Sequence, residues 1–312
     1  MNFTLNFDIP KANFSLVHGN EMLFIGSCFS DEIASRAKFS GLNVFSNPFG
    51  TIFHPSLIAR FLLESMNYKD SERIVTREDI HLSWDANSTI YDFSEEALVQ
   101  KLAKIRAEFR VKLLNAKVLF VTFGTAWGYR LKEVNQLVAN CHKVPSNQFL
   151  KELVSVDEIT KEWGDTIGLL RALNPSLEIV FTVSPVRHSK DGLVENNQSK
   201  AILIESIRRL QKTTNCSYFP SYEIMIDELR DYRFFKQDRV HPTEESIEYI
   251  WKRFESTFFT NETIELNSKV TQLRKSFLHR SIHEDSIENI SRKESLDSKI
   301  ACFLNLNKNV KW

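Results

Sequence analysis

The sequence predicts an α/β fold, a three-layer α/β/α sandwich around a central, mostly parallel sheet. Two observations lead there. Short runs of aliphatic, β-branched and aromatic residues alternate with longer amphipathic stretches as far as about residue 260. Those runs are apolar at nearly every position, which is the pattern of a strand buried on both faces and covered by crossover helices.

Each element has its own justification. "MLFIGS" (22–27) is a continuous apolar strand, and "DEIASRAKFSG" (31–41) is a helix capped by Ser30, with Asp31 and Glu32 in its first turn and Gly41 as its stop. "LNVFS" (42–46) is a second strand, "KVLFVTFG" (117–124) a third and "LEIVFTVSP" (177–185) a fourth, while "CSYFPSYEIM" (216–225) is a weaker fifth. Helical spacing marks 56–66, 95–114, 156–173 and 199–214. The stretch "DIHLSWDANSTIYDF" (79–93) breaks the alternation and is expected as a loop or hairpin insertion over one edge. Past Thr260 a stripe of Leu266, Val270, Leu273 and Phe277 predicts a helix, expected to dock on its own domain in preference to a partner, followed by a polar tail from about Ser281. The expected organisation is thus an α/β domain over 1–260 and a helical extension with a tail over 261–312.

Composition narrows the function. The 312 residues carry 40 Lys plus Arg and 40 Asp plus Glu, so no net field gathers phosphates or an anionic membrane surface, and nucleic acid is excluded as an expected partner. The first residues, "MNFTLNFDIPKANF", lack a basic segment followed by an apolar one, and no apolar run reaches the roughly 20 residues of a membrane helix; the expected location is cytoplasmic. Cys28, Cys141, Cys216 and Cys302 are widely spaced and expected as free thiols, and the eight histidines show no paired ligand spacing, so neither a metal nor another cofactor is predicted.

In an open parallel sheet the ligand crevice lies beyond the strand C-termini. The residues there are Gly26, Ser27 and Cys28 after the first strand, "NPFG" (47–50) after the second, "GTAWGY" (124–129) after the third and "SPVRH" (184–188) after the fourth. "DRVHP" (238–242) comes just before the helix "TEESIEYIWKRF". Acyl transfer needs a nucleophile, a histidine to carry its proton, an acid to orient that histidine, and N–H donors for the oxyanion. Asp238 and His241, separated by two residues on a loop, fit the acid and the base. Cys28 would sit at a helix N-terminus, where the dipole favours thiolate and Asp31 and Glu32 oppose it. Against these stand plainer roles: a turn hydroxyl for Ser27, a small buried residue for Cys28, a surface pair for Asp238 and His241.

The block "GSCFS" (26–30) closely resembles the signature of the GSCFA family, a group of bacterial proteins similar to the SGNH, or GDSL-type, hydrolases. "NPFGTIFHP", "FGTAWGY", "NCHKVPSNQF", "FTVSPVRHSKDGLVENNQSK" and "FPSYEIMIDELRDYRFFKQDRVHP" resemble that family's further blocks in order, over roughly residues 3–260. The resemblance implies an SGNH-like, flavodoxin-like sheet. It places Cys28 at the nucleophile position of a G-D-S turn, Ser27 at that turn's aspartate, Gly50 on the second block's glycine, and Asp238 and His241 on a D-x-x-H block. The third block departs, because Gly124-Thr125-Ala126 lacks the oxyanion asparagine of G-x-N. Asn140 is the first candidate to replace it and Asn47 the second. His142 is an alternative base, and Arg187 and His188 are candidate substrate contacts.

The function implied is hydrolysis of an ester or thioester through Cys28, or Ser27, with His241 as base, Asp238 as its orienter, and N–H donors from Gly50 and Cys28. Two alternatives share the fold: an acyltransferase delivering the acyl group to a carbohydrate or other hydroxyl acceptor, and a binding module without catalysis. The expected partner is a small-molecule or carbohydrate acyl ester; the oligomeric state is not legible.

Overall fold

In the computed structural model, residues 5–67, 72–279 and 287–312 are described. In chain order the first half contains β1 (Glu21–Gly26), α1 (Cys28–Phe39), β2 (Asn43–Ser46), α2 (Pro55–Met66), β3 (Ile74–Arg77), β4 (Ile80–Ser83), β5 (Tyr91–Asp92), α3 (Glu95–Asn115) and β6 (Val118–Phe123). There follow β7 (Trp127–Leu131), β8 (Gln136–Val138), β9 (Phe149–Leu153), α4 (Val156–Leu173), β10 (Glu178–Val183), α5 (Leu193–Thr213), β11 (Ser217–Tyr218) and α6 (Ser221–Glu223). The chain ends with α7 (Glu244–Phe258), α8 (Asn261–Leu278) and α9 (Ile287–Leu306).

The five predicted strands form one parallel sheet in the order β2-β1-β6-β10-β11. Alternate residues of each strand feed two cores, as a sheet covered on both faces requires. Leu23, Ile25, Leu119, Val121, Phe123, Ile179 and Phe181 pack under α2, α3, α4 and α5. Met22, Phe24, Val118, Phe120 and Val180 pack under α1 and α7. The fold is therefore the expected three-layer α/β/α arrangement. Its strand order reverses between β1 and β6, and that is the switch point where such sheets open a crevice.

Two details differ from expectation, and one open choice is decided. Helix α1 starts at Cys28 with Ser27 as its N-cap, so Ser30 does not cap it; Ser30 lies one turn inside with a buried hydroxyl. The 79–93 insertion takes the hairpin form of the two expected: β4 and β5 pair antiparallel, and β3, just before it, pairs with β4 through a two-residue turn at Glu78-Asp79. The stretch after Gly124 is more than a loop: β7, β8 and β9 make a second small antiparallel sheet. Its first hairpin closes through residues 132–135 with Asn135 left-handed at φ 50°.

Helix α8 packs on α1 and α7 as predicted, but Thr263, Asn267 and Val270 form its buried edge, while Phe277 lies out against Trp312. The start of the predicted polar tail, residues 281–286, lies outside the described residues; from Ile287 the chain is helical through Leu306. The C-terminus then returns to α1, where the Lys311 N–H donates to Gly41 O at 2.8 Å. No helix among the described residues is long and apolar enough to cross a membrane.

Candidate active site

Gly26 ends β1 in a conformation that a side chain would spoil. Its φ is +132°, and a Cβ there would stand 2.1 Å from the Thr122 carbonyl oxygen on β6. The close approach turns the chain sharply, so that Ser27 donates its N–H to Thr122 O and Cys28 begins α1. The two candidate nucleophiles then part. Ser27 is 1% exposed and its Oγ has no partner, whereas Cys28 is partly exposed at the first helical position.

The loop after β2 clasps this turn. Asn47, left-handed at φ 37°, accepts the Gly26 N–H on Oδ1 at 2.8 Å, and Ile52 N–H donates to Gly26 O at 3.0 Å. Farther along, Phe53 O takes the N–H groups of Gly124 and Thr125, so the same loop ties β1's end to β6's. The Gly50 N–H closes a turn on Asn47 O at 2.8 Å and is not free as an oxyanion donor, contrary to expectation. Asn47 Nδ2, by contrast, is buried, with no well-formed hydrogen bond, and the polar group it faces is the Asp31 carboxyl, whose pKa it pulls down against the effect of burial.

Asp238 and His241 are joined as a dyad, with His241 Nδ1 2.7 Å from Asp238 Oδ2. Asp238 Oδ1 also accepts the backbone N–H groups of Val240 (2.8 Å) and His241 (3.0 Å). Arg239, left-handed at φ 59°, makes that double acceptance possible. These three donors hold the Asp238 carboxyl well below the usual carboxylate range. An ionised Asp238 requires the proton on His241 Nδ1, which leaves the Nε2 lone pair for chemistry. Among the described residues no hydrogen bond joins His241 to Cys28 or Ser27.

The loop is held from β10. Arg187 donates Nη1 to Arg239 O at 2.9 Å and stacks 4.0 Å from the Phe235 ring. It braces the dyad's loop, a role that occupies the guanidinium expected to meet substrate. His188 is nearly buried against Phe53, with ring centroids 5.3 Å apart. Burial first, then the charges of Lys200 and His241 against that of Asp191, leave its pKa at about 4, so His188 is neutral at pH 7.

The thiol departs from expectation. Burial pushes the Cys28 pKa up, and Glu32 and Asp31 add to that; the N–H groups of Phe29 and of Cys28 itself pull it down by less. The helix terminus does not produce a free thiolate at neutral pH, so a base is needed.

Two candidates lie elsewhere. Asn140 Oδ1 accepts the His142 N–H at 2.8 Å and shapes a turn beside the β7–β9 sheet. His142 is buried, with Nε2 2.8 Å from Ser83 O and Nδ1 3.0 Å from Ser88 Oγ, so both ring nitrogens are committed. Ala126, at the position of the missing asparagine, is fully buried and donates its N–H to Ser199 Oγ.

One functional candidate has no counterpart among the sequence expectations. Lys200 on α5 is 1% exposed, and its Nζ donates to Gly124 O and Ser184 O, each at 2.7 Å, across the ends of β6 and β10. A signal is present in the sequence, since Lys200 falls on the helix's buried stripe with Leu203, Ile207 and Leu210.

Two solved structures are similar to the chain at low levels. A carbohydrate esterase family 3 protein from Talaromyces cellulolyticus shares 9% identity over 80% of this chain and 99% of its own, with a TM-score of 0.37. An acetyl xylan esterase from the rumen bacterium Butyrivibrio proteoclasticus shares 12% over 77% of this chain and 64% of its own, with a TM-score of 0.39. Likenesses this distant decide nothing about the reaction. No curated protein sequence matches the chain. The family model that does match, that of the GSCFA family, spans residues 21–254 and contains every element of the site above, and the chain belongs to that family.

Proposed function

We propose that the protein is an acyl hydrolase that cleaves an ester through a covalent acyl–Cys28 intermediate. The observation that carries this reading is the Asp238–His241 dyad: an ionised carboxylate fixes the imidazole by Nδ1 and leaves Nε2 basic, on the same edge of the sheet as a partly exposed thiol.

In the first step His241 Nε2 takes the Cys28 proton as the sulfur attacks the acyl carbonyl. The raised thiol pKa makes that base assistance necessary. The Cys28 N–H and Asn47 Nδ2 donate to the oxyanion. Collapse of the adduct breaks the ester C–O bond, and His241 returns the proton to the leaving alcohol. Water, deprotonated by His241, then attacks the thioester and frees the acid and the thiol. Ser27 is unsuited to this part because its hydroxyl is sealed from solvent.

Turnover of p-nitrophenyl acetate by single variants tests the assignment. Cys28→Ala and His241→Ala are expected to lower kcat by about a thousandfold or more, and Ser27→Ala by less than about tenfold. Loss of activity in Ser27→Ala with retention in Cys28→Ala would overturn it.

A further inference from the structure

His142 and Ser88 pair a base with a hydroxyl, apart from the dyad of Asp238 and His241. The imidazole is 2% exposed, and its Nε2 lies 2.8 Å from Ser83 O. A carbonyl oxygen can only accept, so Nε2 carries the proton. Burial, and then the charge of Arg77, lower the His142 pKa against the opposing pull of Ser83 O, so the ring is neutral at pH 7 and Nδ1 is left as a lone pair. Ser88 Oγ, 3.0 Å from Nδ1, therefore donates its proton there. The Ser83 carbonyl orients the ring as a carboxylate does in a catalytic triad, and the serine hydroxyl is the group that the ring can deprotonate.

Position separates this pair from an ordinary buried contact. Ser88 is exposed, and with His142 it opens onto a cavity of about 240 Å³ bounded by the β3–β4 hairpin and residues 142–143. Arg77 and Lys143 line the same cavity, and among the described residues neither forms an ion pair. Arg77 Nη1 donates to His142 O, which leaves Nη2 for a ligand. Glu78 also lines the cavity, so its wall carries two positive charges against one negative. Among the described residues no hydrogen bond engages the Ser88 N–H, so the nucleophile's own amide is free to meet an oxyanion.

We propose that Ser88 is a second nucleophile, activated by His142, that accepts an acyl group from a small ester bearing a negatively charged group. Ser88 Oγ attacks the acyl carbonyl while His142 Nδ1 takes its proton, and the Ser88 N–H donates to the oxyanion. The ester C–O bond then breaks, His142 returns the proton to the leaving alcohol, and the acyl group stays on Ser88. Arg77 and Lys143 hold the charged end of the substrate. The site shares no residue with Cys28, Asp238 and His241, so it stands independently of the reading of Cys28 as nucleophile.

Diisopropyl fluorophosphate, which forms an O–P bond with an activated serine and loses fluoride, reads the hydroxyl directly in the full-length protein. Peptide mass spectrometry is expected to find Ser88 modified at least about a hundredfold faster than the exposed Ser146, which has no histidine partner. The rate should climb with pH as His142 loses its proton and level off above about pH 6.5. Arg77, Lys143 and Glu78 are the charged groups that share the cavity with the ring, and the neighbouring Cys141 thiol is pushed up by burial, away from that range. About 20 mM inorganic phosphate is expected to slow labelling about threefold in the parent protein and not in Lys143→Met. Modification of Ser88 no faster than that of Ser146, or a rate that rises with hydroxide over the whole pH range, overturns the proposal. Labelling that phosphate does not slow overturns the charged substrate. A label on Ser27 would instead count against Cys28 as the first nucleophile; it falls on a different peptide, so the two readings fail separately.

Discussion

Asn47 has two jobs that one amide can do. Oδ1 caps the Gly26 N–H at 2.8 Å while Nδ2, beside the turn at Gly26, faces the Asp31 carboxyl without a well-formed hydrogen bond. Asparagine also tolerates the left-handed backbone at this position better than most residues. Asn47→Asp keeps the acceptor and the backbone preference and removes the donor, and its added negative charge opposes an oxyanion in the same direction. It is expected to lower kcat by about a hundredfold or more with little change in KM. Asn140→Ala removes only a turn contact to the His142 N–H. Steady-state kinetics of the two variants separates the candidates: a larger loss in Asn140→Ala than in Asn47→Asp would move the oxyanion donor away from β2.

At the scale of elements, the strands and crossover helices are legible in the sequence because burial on both faces writes an unmistakable pattern, as at Leu23 and Ile25 against Met22 and Phe24. The Asp238–His241 pair is legible for a different reason, since the two residues interact at a separation of three within one loop. The β7–β9 sheet is not. Its strands are short and half-exposed, with charged residues at Arg130, Lys151 and Glu152, and its hairpin turn depends on a left-handed Asn135 and not on glycine. The start of α1 differs from expectation because Ser30 has the better sequence context for a cap, but the tight turn at Gly26 starts the helix earlier. Glycines at two kinds of position should then respond oppositely. Gly26→Ala places a methyl group against Thr122 O and is expected to abolish folding, which circular dichroism would register as a lost thermal transition. Gly168 lies inside α4, and a methyl group added there would meet nothing within 4 Å, so Gly168→Ala is expected to stabilise by about 0.5–1 kcal/mol in urea denaturation.

Across the whole molecule, the interior contains bases kept neutral or nearly so, and this dictates how stability depends on pH. Burial takes His54 to a pKa of about 4 and Lys200 to about 7. For each, the unfolded chain binds a proton that the folded chain gives up, so stability rises with pH between the folded and unfolded values. His54 acts between about pH 4 and 6.5, where its full effect is about 3 kcal/mol. Lys200 acts above pH 7. The thiols of Cys28, Cys141 and Cys216, all pushed up by burial, oppose the lysine, but only from near pH 8.5 upward, where unfolded thiols ionise before folded ones and stability falls. From pH 7 to 8 the lysine therefore dominates, and the unfolding free energy should increase by about 1 kcal/mol. Urea unfolding at these two pH values measures the rise, and Lys200→Met should remove it while leaving the loss below pH 6.5 in place. His54→Asn, which retains a capping side chain for α2, should reduce the acid loss and leave the alkaline rise unchanged. A parent protein equally stable at pH 7 and 8 would show that Lys200 is fully protonated inside the fold, with an anionic partner already beside it.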